Sequence, residues 1–311
     1  IELQRDMPGL TIGYHAAADW GRDPGALDAV RADVAKADII ISTMLFLEDH
    51  VTAILPALEA RREQCDAMIG LMSAGEIVRL TRMGGYRMDA PTGGVMAMLK
   101  KLRGPAKPGG NAGEKQMKML RRLPKILRFM PGSAQDVRQY FLTMQYWLAG
   151  SDENVVNMVR GLVDRYAAGP RAALKGRTPA KAPREYPEVG VYHPTFAERM
   201  SEDAGALPRS KTAKGTVGVL LLRSYVLGKD TGHYDGAIAA LEAQGLNVVP
   251  AFASGLDSRP AIAKFFQRDG KASIDALINL TGFSLVGGPA YNDAAAAEET
   301  LAGLDIPYIA A

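Results

Sequence analysis

The sequence predicts an α/β protein. Three observations lead to this fold class. Short apolar runs alternate with amphipathic helical patterns towards both ends of the 311-residue chain, a strongly basic helical stretch interrupts them, and a proline-rich segment follows. Apolar strands separated by amphipathic helices are typical of parallel sheets covered on both faces. We therefore expect two Rossmann-like parallel-sheet units separated by a basic α-helical section and a Pro-rich linker. The predicted segments are 1–88 (α/β unit), 89–168 (helical section), 169–215 (linker and short strand) and 216–311 (second, truncated α/β unit).

The first unit contains three apolar runs that predict strands and two helical patterns between them. Within the second helix, Val51, Ile54, Leu55 and Leu58 recur every three to four residues, which indicates one buried face. A turn is expected at Gly84-Gly85 because two glycines punctuate the chain there. The predicted elements are strands 10–15, 38–46 and 66–72 and helices 26–36 and 48–62.

The middle of the chain is predicted to be helical and basic. Between residues 98 and 128 stand ten Lys or Arg residues against one acid, Glu114, although the whole chain carries a formal charge of only +3. Apolar residues then keep helical spacing from Leu120 to Leu148, and a further helix is expected from Val155 to Ala167. Prolines and few large apolar residues over 169–187 predict an extended linker.

From Thr216 onwards the α/β pattern resumes. Gly245 is suited to end the first helix of this unit, since glycine tolerates the positive φ of a helix C-terminus. The predicted elements are strands 217–223, 247–251, 276–280 and 307–310 and helices 234–244, 259–267 and 293–303.

Composition limits the class of protein. A hydrophobic content of 47% suffices for two cores. No uninterrupted apolar run of about 18 residues occurs, so we expect no bilayer-spanning helix. The single cysteine, Cys65, cannot form an internal disulfide, and a reducing cytoplasm fits best. Because the chain opens on Ile1 and closes inside an apparent strand, we expect a part of a longer protein.

Several functional classes lack their motifs. No phosphate-binding G-x-x-x-x-G-K-[ST] motif occurs, and no G-x-G-x-x-G follows a strand, so we expect no ATP to bind here. Four histidines and one cysteine in no metal-binding spacing predict no metal site. Aromatic residues are not interleaved with the cations, which argues against nucleic acid. The basic section is interpreted as a solvated face or as a patch for acidic partners or anionic lipid headgroups.

Two loops have the position of a ligand site, because ligands of open α/β sheets lie outside the carboxyl ends of the strands. The segment 223–236, RSYVLGKDTGHYDG, contains Arg223, His233 and Tyr234, and contact with a ligand or with an interdomain surface stays open. The segment 280–293, LTGFSLVGGPAYND, offers hydroxyl, aromatic and glycine residues, with a tight turn before a helix as the alternative.

The remaining histidines are interpreted separately. His15 and His50, at a strand end and a helix start, favour structural roles. His193 precedes a proline after a short apolar strand, so anchoring of a loop and a functional role stay equally open.

Three long stretches resemble one family, the large (H) subunits of magnesium chelatase, with the large subunit of cobaltochelatase as a more distant relative. They are LPKILRFMPGSAQDVRQYFLTMQYWLAGSDENV (123–155), HYDGAIAALEAQGLNVVPAFASGLDSRPAI (233–262) and DALINLTGFSLVGGPAYND (275–293). The resemblance runs essentially from end to end and covers the amino-terminal quarter of that family.

The resemblance implies a porphyrin-binding subunit that inserts Mg²⁺ into protoporphyrin IX in chlorophyll or bacteriochlorophyll synthesis, with ATP hydrolysed by two ATPase-type partner subunits. It transfers no catalytic residue, because the acidic and histidine groups proposed for metal delivery lie in later regions of the family. Arg or Lys would suit the porphyrin propionates. The expected porphyrin contacts are Arg223, His233, Tyr234, Thr281, Phe283 and Ser284. The expected partner-docking residues are Lys118, Arg121, Arg122 and Lys125.

Alternatives remain at this point. The chain would otherwise be a non-catalytic docking module for partner subunits or membrane lipid, part of a cobaltochelatase, or a two-lobed small-molecule-binding protein. The expected location is the cytoplasm, with peripheral contact to the photosynthetic membrane as the alternative. The chain is expected to be inactive alone.

Overall fold

The computed structural model describes residues 2–90, 122–176, 178–288 and 291–311. These residues form two compact units, Ile1–Leu148 with Glu153–Arg184 (unit 1) and Ala149–Asp152 with Glu185–Ala311 (unit 2). Each unit contains a sheet with parallel strands and packed helices, so the predicted α/β class is confirmed. The Rossmann-like arrangement and the four-segment domain division stay predictions.

Unit 1 is built around a four-stranded sheet. Its elements in chain order are α1 (Glu2–Asp6), α2 (Ala26–Lys36), β1 (Ile39–Thr43), α3 (Glu48–Arg61), β2 (Ala67–Leu71), α4 (Gly75–Arg79), β3 (Arg82–Met83), β4 (Tyr86–Arg87), a helical segment at 122–127, α5 (Ala134–Ala149) and α6 (Asp152–Tyr166). The strand order is β1-β2-β3-β4. Strands β1 and β2 are parallel and in register from Ile39↔Ala67 to Thr43↔Leu71, whereas β3 and β4 form an antiparallel hairpin.

The alternation of side chains along β2 directs them into two different apolar clusters of unit 1. Ala67, Ile69 and Leu71 point to one face and pack with buried residues of 122–127, α5 and α6. Met68 points to the other face and packs with α2 and α3. Successive side chains of a strand alternate between faces, so a completely buried strand needs cover on both sides. The helical segments predicted over 120–148 and 155–167 therefore contribute α5 and α6 to the core of unit 1.

The hairpin between β3 and β4 turns at Gly84-Gly85, as predicted, and Asp136 of α5 holds it. Gly84 has a φ of +55°, and a Cβ there would lie 2.8 Å from Asp136 Oδ2, so glycine is required on two counts. The Gly85 N–H donates to Asp136 Oδ2 at 2.9 Å, while Arg165 Nε and the Tyr166 hydroxyl donate to Oδ1 at 2.8 and 3.0 Å. Gly85, Arg165 and Tyr166 thus donate hydrogen bonds to the buried carboxylate of Asp136, and Gly84 packs against it.

Unit 2 is built around a six-stranded sheet with helices on both faces. Its elements are β5 (Val189–Tyr192), β6 (Met200–Ser201), β7 (Thr216–Leu222), α7 (Arg223–Gly228), α8 (Gly232–Ala243), β8 (Asn247–Ala253), α9 (Arg259–Ala261) continuing as a π-turn (Ile262–Phe266), β9 (Gln267–Arg268), β10 (Lys271–Ala272), β11 (Ala276–Asn279), β12 (Gly287–Gly288), β13 (Tyr291–Asn292), α10 (Ala294–Leu304) and β14 (Tyr308–Ala310). The strand order is β14-β11-β7-β8-β5-β6. Strands β14, β11, β7 and β8 are mutually parallel, and β5 is antiparallel to both of its neighbours, β8 and β6.

Two predictions of local structure are wrong. Residues 10–15 form no strand, and Ile12 and Tyr14 are 51% and 86% exposed there, so this apolar run is not part of a sheet. The segment 169–187 is not simply extended, because it begins with a 3-10 helix, Gly169–Leu174. Farther along, the Lys181 N–H donates to Asn157 Oδ1 at 2.9 Å. Side chains of α6 therefore fix part of the predicted linker.

Candidate functional site

The strand order of unit 2 places a crevice at the carboxyl ends of β7 and β11. The chain passes from β7 to its neighbour β8 and then crosses back to β11 on the opposite side of β7. The connection after β7 therefore runs towards β8, and the connection after β11 runs the opposite way, towards β14. In open parallel sheets, ligands bind outside the carboxyl ends of the strands at such a switch point.

A small cleft lies at these strand ends. Its cavity volume is only about 10 Å³, far below the roughly 300–1,000 Å³ of typical ligand pockets, so it is a shallow depression that a ligand would touch and not enter. Thr281, Phe283 and Ser284 of the predicted set line it together. Its complete lining is Leu221, Leu222, Ala253, Gly255, Leu256, Ser258, Thr281, Phe283 and Ser284.

Asn279, the last residue of β11, organises the cleft wall. The residue is 2% exposed, and its side chain makes four hydrogen bonds. Nδ2 donates to the Phe283 carbonyl at 2.8 Å and to the Tyr308 hydroxyl at 3.0 Å, and Oδ1 accepts from Thr281 N and Oγ1 at 3.0 and 2.8 Å. Because all four groups of the amide are used, the loop after β11 has one defined conformation.

The loops after β8 and β11 are also bonded to each other. The Ser258 N–H donates to the Leu285 carbonyl at 2.9 Å, and the Gly287 N–H donates to the Leu256 carbonyl at 2.8 Å. A Cβ at Gly288 would lie 2.2 Å from Leu256 Cδ1, so a larger residue there would require the exposed Leu256 side chain to move. The two walls of the cleft therefore form a connected surface.

Tyr234 lies beneath this edge and not on its surface. The residue is completely buried. Its hydroxyl accepts the Leu222 N–H at 3.0 Å and donates to the Leu280 carbonyl at 3.5 Å, which links the ends of β7 and β11. Burial raises the pKa of the phenol, so the group stays a neutral hydrogen-bonding partner. The predicted porphyrin contact of Tyr234 stays a prediction, and its role in this structure is internal.

His233, in contrast, is exposed. It is the second residue of α8, and its ring meets that of Tyr225 edge-on with centroids 5.3 Å apart. Tyr225 is itself 41% exposed. Tyr225 is not among the predicted site residues, because the chain between Arg223 and Tyr234 is predicted as a connection without a helix. The helix α7 over Arg223–Gly228 in fact presents this tyrosine.

Arg223 follows β7 directly, and its guanidinium reaches the chain that precedes β5. Nε donates to the Pro187 carbonyl at 2.8 Å and Nη2 to the Tyr186 carbonyl at 3.2 Å. These bonds occupy part of the guanidinium, so a propionate would share it with the backbone. Ser284, the last of the six residues, donates to Asn292 Oδ1 at 2.7 Å and supports the β12–β13 hairpin.

The other histidines have structural partners. His193 is 3% exposed, with Nδ1 at 2.7 Å from Thr195 Oγ1 and Nε2 at 3.2 Å from Glu242 Oε1, which fixes the loop after β5 to α8. Nε2 of His15 lies 2.7 Å from Asp33 Oδ2. The His50 ring packs on Trp20 with centroids 5.5 Å apart. The geometry thus favours the anchoring role for His193.

Two of the four predicted docking residues can be placed. Lys118 and Arg121 lie outside the described residues. Arg122 and Lys125 are exposed on the helical segment 122–127, whose residues Leu123 and Leu127 are buried in the core of unit 1.

Two further findings concern metals and membranes. Among residues 2–90, 122–176, 178–288 and 291–311, no group of three or more His, Cys, Asp or Glu side chains is arranged to hold a metal ion. No helix in this same part of the chain combines the length and the apolar character needed to cross a membrane.

Two family models match the chain. The description "CobN/Magnesium Chelatase" belongs to the family model that matches residues 144–311, and a domain of unknown function, DUF3479, matches residues 1–141. The first match covers more than half of the chain. The protein therefore belongs to the CobN/magnesium chelatase family, which confirms the resemblance found in the sequence.

The relatives that match nearly the whole chain are magnesium-chelatase subunits. The chain is 56% identical to the large (H) subunit of the magnesium chelatase of Cereibacter sphaeroides over 99% of the chain and 26% of the relative, and 51% identical to its counterpart in Rhodobacter capsulatus over 99% and 25%. It is 32% identical to "Magnesium-chelatase subunit ChlH, chloroplastic" of Oryza sativa over 93% and 22%. The chain thus spans about a quarter of the length of these relatives.

A solved structure, "Catalytic Subunit of Cobaltochelatase from Mycobacterium tuberculosis", aligns with 93% of the chain and 18% of its own length at 16% identity and a TM-score of 0.42. A similarity at that level supports no argument about fold or function.

Proposed function

We propose that this chain is part of the porphyrin-binding subunit of a magnesium chelatase, and that the carboxyl edge of the unit 2 sheet forms part of the wall that contacts the porphyrin. The observation that supports the proposal most is the 56% identity to the large (H) subunit of a magnesium chelatase over nearly the whole chain. The substrates would be protoporphyrin IX and Mg²⁺. ATP would be hydrolysed by two ATPase-type partner subunits.

The geometry favours a supporting role in porphyrin binding. Phe283 offers an apolar face at the cleft, while Thr281 and Asn279 hold its backbone in place. The cleft is too shallow to enclose any part of a macrocycle, so the ring would lie across its rim. His233 and Tyr225 would extend the contact along the surface, since flat aromatic groups favour offset or edge-on packing.

Metal insertion requires more than this wall supplies. Mg²⁺ prefers oxygen ligands and loses water reluctantly, and the two pyrrole protons need a base. The proposed role of the chain is therefore to bind and orient the porphyrin, with the ion delivered by groups elsewhere in the assembled enzyme. On this proposal the chain alone binds porphyrin without inserting the metal.

A titration tests the proposal. Protoporphyrin IX, or its more soluble relative deuteroporphyrin, is added to the chain, and the porphyrin absorbance and fluorescence are followed. We expect saturable binding, weakened by about fivefold or more in Phe283→Ala and in His233→Ala, because exposed aromatic anchors dominate such contacts. Phe129→Ser serves as the matched control, since Phe129 is an 85% exposed aromatic in unit 1. Equal affinity in all three variants would refute the assigned wall.

A second function is favoured by the exposed cations Arg122 and Lys125. We propose as the alternative that the basic section, including Lys118 and Arg121, docks a partner subunit. Binding of the ATPase-type subunits would then weaken in Arg122→Gln/Lys125→Gln and at high salt, because exposed charges are screened beyond about 8 Å at physiological ionic strength. Salt-independent binding would exclude this role.

The proposal extends to the arrangement of each sheet and to the location of the protein in the cell. Each sheet unit would be Rossmann-like, as the parallel order β14-β11-β7-β8 with helices on both faces supports for unit 2. The protein would act in the cytoplasm, with peripheral contact to the photosynthetic membrane as the alternative.

A further inference from the structure

Unit 1 presents an exposed apolar surface at the carboxyl ends of β1 and β2. We call it the methionine surface, and it consists of Met44, Phe46, Leu47 and Met72. These side chains are 57%, 53%, 63% and 41% exposed. Scattered exposed apolar residues are common, but four on two adjacent loops form a patch of the kind that marks interaction sites.

The loops that carry the methionine surface are fixed. The Met44 N–H donates to the Met72 carbonyl at 3.0 Å, and the Ala74 N–H donates to the Leu45 carbonyl at 2.8 Å. Leu45 N–H also donates to Ser73 Oγ at 3.1 Å. The exposed side chains therefore stand on a hydrogen-bonded platform.

Both methionines adopt a backbone conformation that methionine disfavours. Met44 has a φ of +60° and Met72 a φ of +44°. The left-handed region is strained for a residue with a Cβ, and glycine would avoid this strain. Because the two methionine side chains are exposed and bury little apolar area within the unit, a role in contact with another molecule accounts for them.

Three carboxylates follow the residues of this surface closely along the chain. Glu48 and Asp49 lie in the first turn of α3, immediately after Leu47, and Glu76 lies in the first turn of α4. All three are exposed. Within the described part of the chain no ion pair joins any of them to a cation. Carboxylates in the first turn of a helix are also stabilised by the partial positive charge of its N-terminus. The same charge disfavours porphyrin propionates, anionic lipid and nucleic acid.

We propose that the methionine surface docks a basic amphipathic helix of a separate protein. Methionine adapts to irregular apolar partners, and an apolar surface with carboxylates beside it favours a helix with apolar residues on one face and Lys or Arg next to them. In the described residues, the basic helical segment 122–127 already packs Leu123 and Leu127 into the core, so it is not free to occupy the surface. This inference is independent of porphyrin binding.

The experiment uses the 311-residue chain and a labelled synthetic peptide of leucine and lysine, about 18 residues long so that a helix can form. Fluorescence anisotropy measures binding. We expect one site whose affinity falls about tenfold in Phe46→Ser/Leu47→Ser, because central apolar anchors dominate helix docking. Leu47 is the N-cap residue of α3, where serine is favoured, so this variant should fold.

The charge contribution is tested separately. Glu48→Gln/Asp49→Gln/Glu76→Gln should weaken binding about fivefold and flatten its salt dependence, since exposed pairs are screened. The control variant Ile126→Ser/Phe129→Ser removes comparable exposed apolar area elsewhere in unit 1. Its affinity for the peptide should stay within about twofold of wild type, because these two residues lie outside the proposed docking surface.

Three results would overturn the proposal. They are unchanged affinity in both surface variants, an equal loss in the Ile126→Ser/Phe129→Ser control, or equal binding of a leucine and glutamate peptide of the same pattern. A change of oligomeric state in Phe46→Ser/Leu47→Ser, measured by light scattering, would assign the surface to a second copy of the chain instead. Porphyrin titration of the same variants separates this outcome from failure of the proposed function.

Discussion

Replacement of Asn279 tests whether the candidate cleft depends on one buried amide. The Asn279→Ala variant removes four hydrogen bonds of 2.8–3.0 Å at a residue that is 2% exposed. At about 0.5–1.5 kcal/mol per bond the loss is roughly 2–6 kcal/mol. Some of the freed groups reach solvent at the loop, so we expect a decrease in the free energy of unfolding of about 2–4 kcal/mol.

The isosteric Asn279→Asp variant tests the donors alone. It keeps the acceptor for Thr281, but a carboxylate oxygen then faces the Phe283 carbonyl in place of Nδ2. Burial of the new charge raises the pKa of this carboxyl, since desolvation disfavours the ionised form. The variant should therefore be less stable at pH 7 than at pH 5, because the protonated acid can donate and stability is lost as the pH rises through the raised pKa.

Urea unfolding followed by circular dichroism measures the change, and hydrogen exchange of peptides spanning 276–288 assigns it to unit 2. Asn292→Ala is the matched control, because Asn292 is exposed and accepts from Ser284. It should change stability by less than about 0.5 kcal/mol. The reasoning is refuted if Asn279→Ala is as stable as this control, or if Asn279→Asp shows no dependence on pH.

Three further predictions concern other parts of the structure. Asp136→Ala should lower the unfolding free energy of unit 1 by about 2–4 kcal/mol in urea, because it leaves the groups bonded to the buried carboxylate without partners. Gly70→Ala should lower the free energy of unfolding by about 1–3 kcal/mol or more, since the new Cβ would lie 2.5 Å from the Ile77 carbonyl oxygen. Gly236→Ala, which has open space inside α8, should instead raise the thermal midpoint and increase the free energy of unfolding by about 0.5–1 kcal/mol. Hydrogen bonding from Arg62 lowers the pKa of Asp89 from 3.8 to about 2, so a carboxyl NMR titration should give a midpoint near 2. The stability that this pair contributes above pH 3.8 should therefore disappear as the pH falls to about 2. A midpoint near 3.8 would contradict the last prediction.

Periodic apolar patterns predicted most of the parallel core. The strand at 38–46 and the helix at 48–62 appear as Ile39–Thr43 and Glu48–Arg61, and all seven elements predicted from Thr216 onwards are present with shifted ends. The helix at 259–267 is a short α-helix followed by a π-turn, a difference that periodicity does not detect. These elements were predictable because their burial on one or two faces determines their pattern.

The elements that sequence reasoning missed depend on contacts distant in the chain. The hairpin β3–β4 has only two residues in each strand, and Asp136 holds its turn from 51 residues away. Residues 10–15 have the composition of a strand, but composition does not supply a neighbouring strand to pair with.

The candidate site was predicted by loop position and not by its chemistry. The loop 281–284 was identified, whereas Asn279 was interpreted as one more strand residue. Tyr234 was expected at a surface, although Tyr234, Ile238 and Leu241 keep the i, i+4, i+7 spacing of a buried helix face. That spacing was the available signal for its burial.

The way α5 and α6 cover the sheet of unit 1 has a consequence for how the chain acquires its structure. The Tyr140 hydroxyl bonds the Gly70 carbonyl 70 residues away, and Arg160 pairs with Asp6 across 154 residues. During synthesis, β1 and β2 emerge long before the helices that bury Ala67, Ile69 and Leu71. Such distant contacts slow folding, because a long loop must close before they form. Until α6 has left the ribosome, the cover of this face by the described residues is incomplete, and the nascent chain is more exposed to misassociation in that interval.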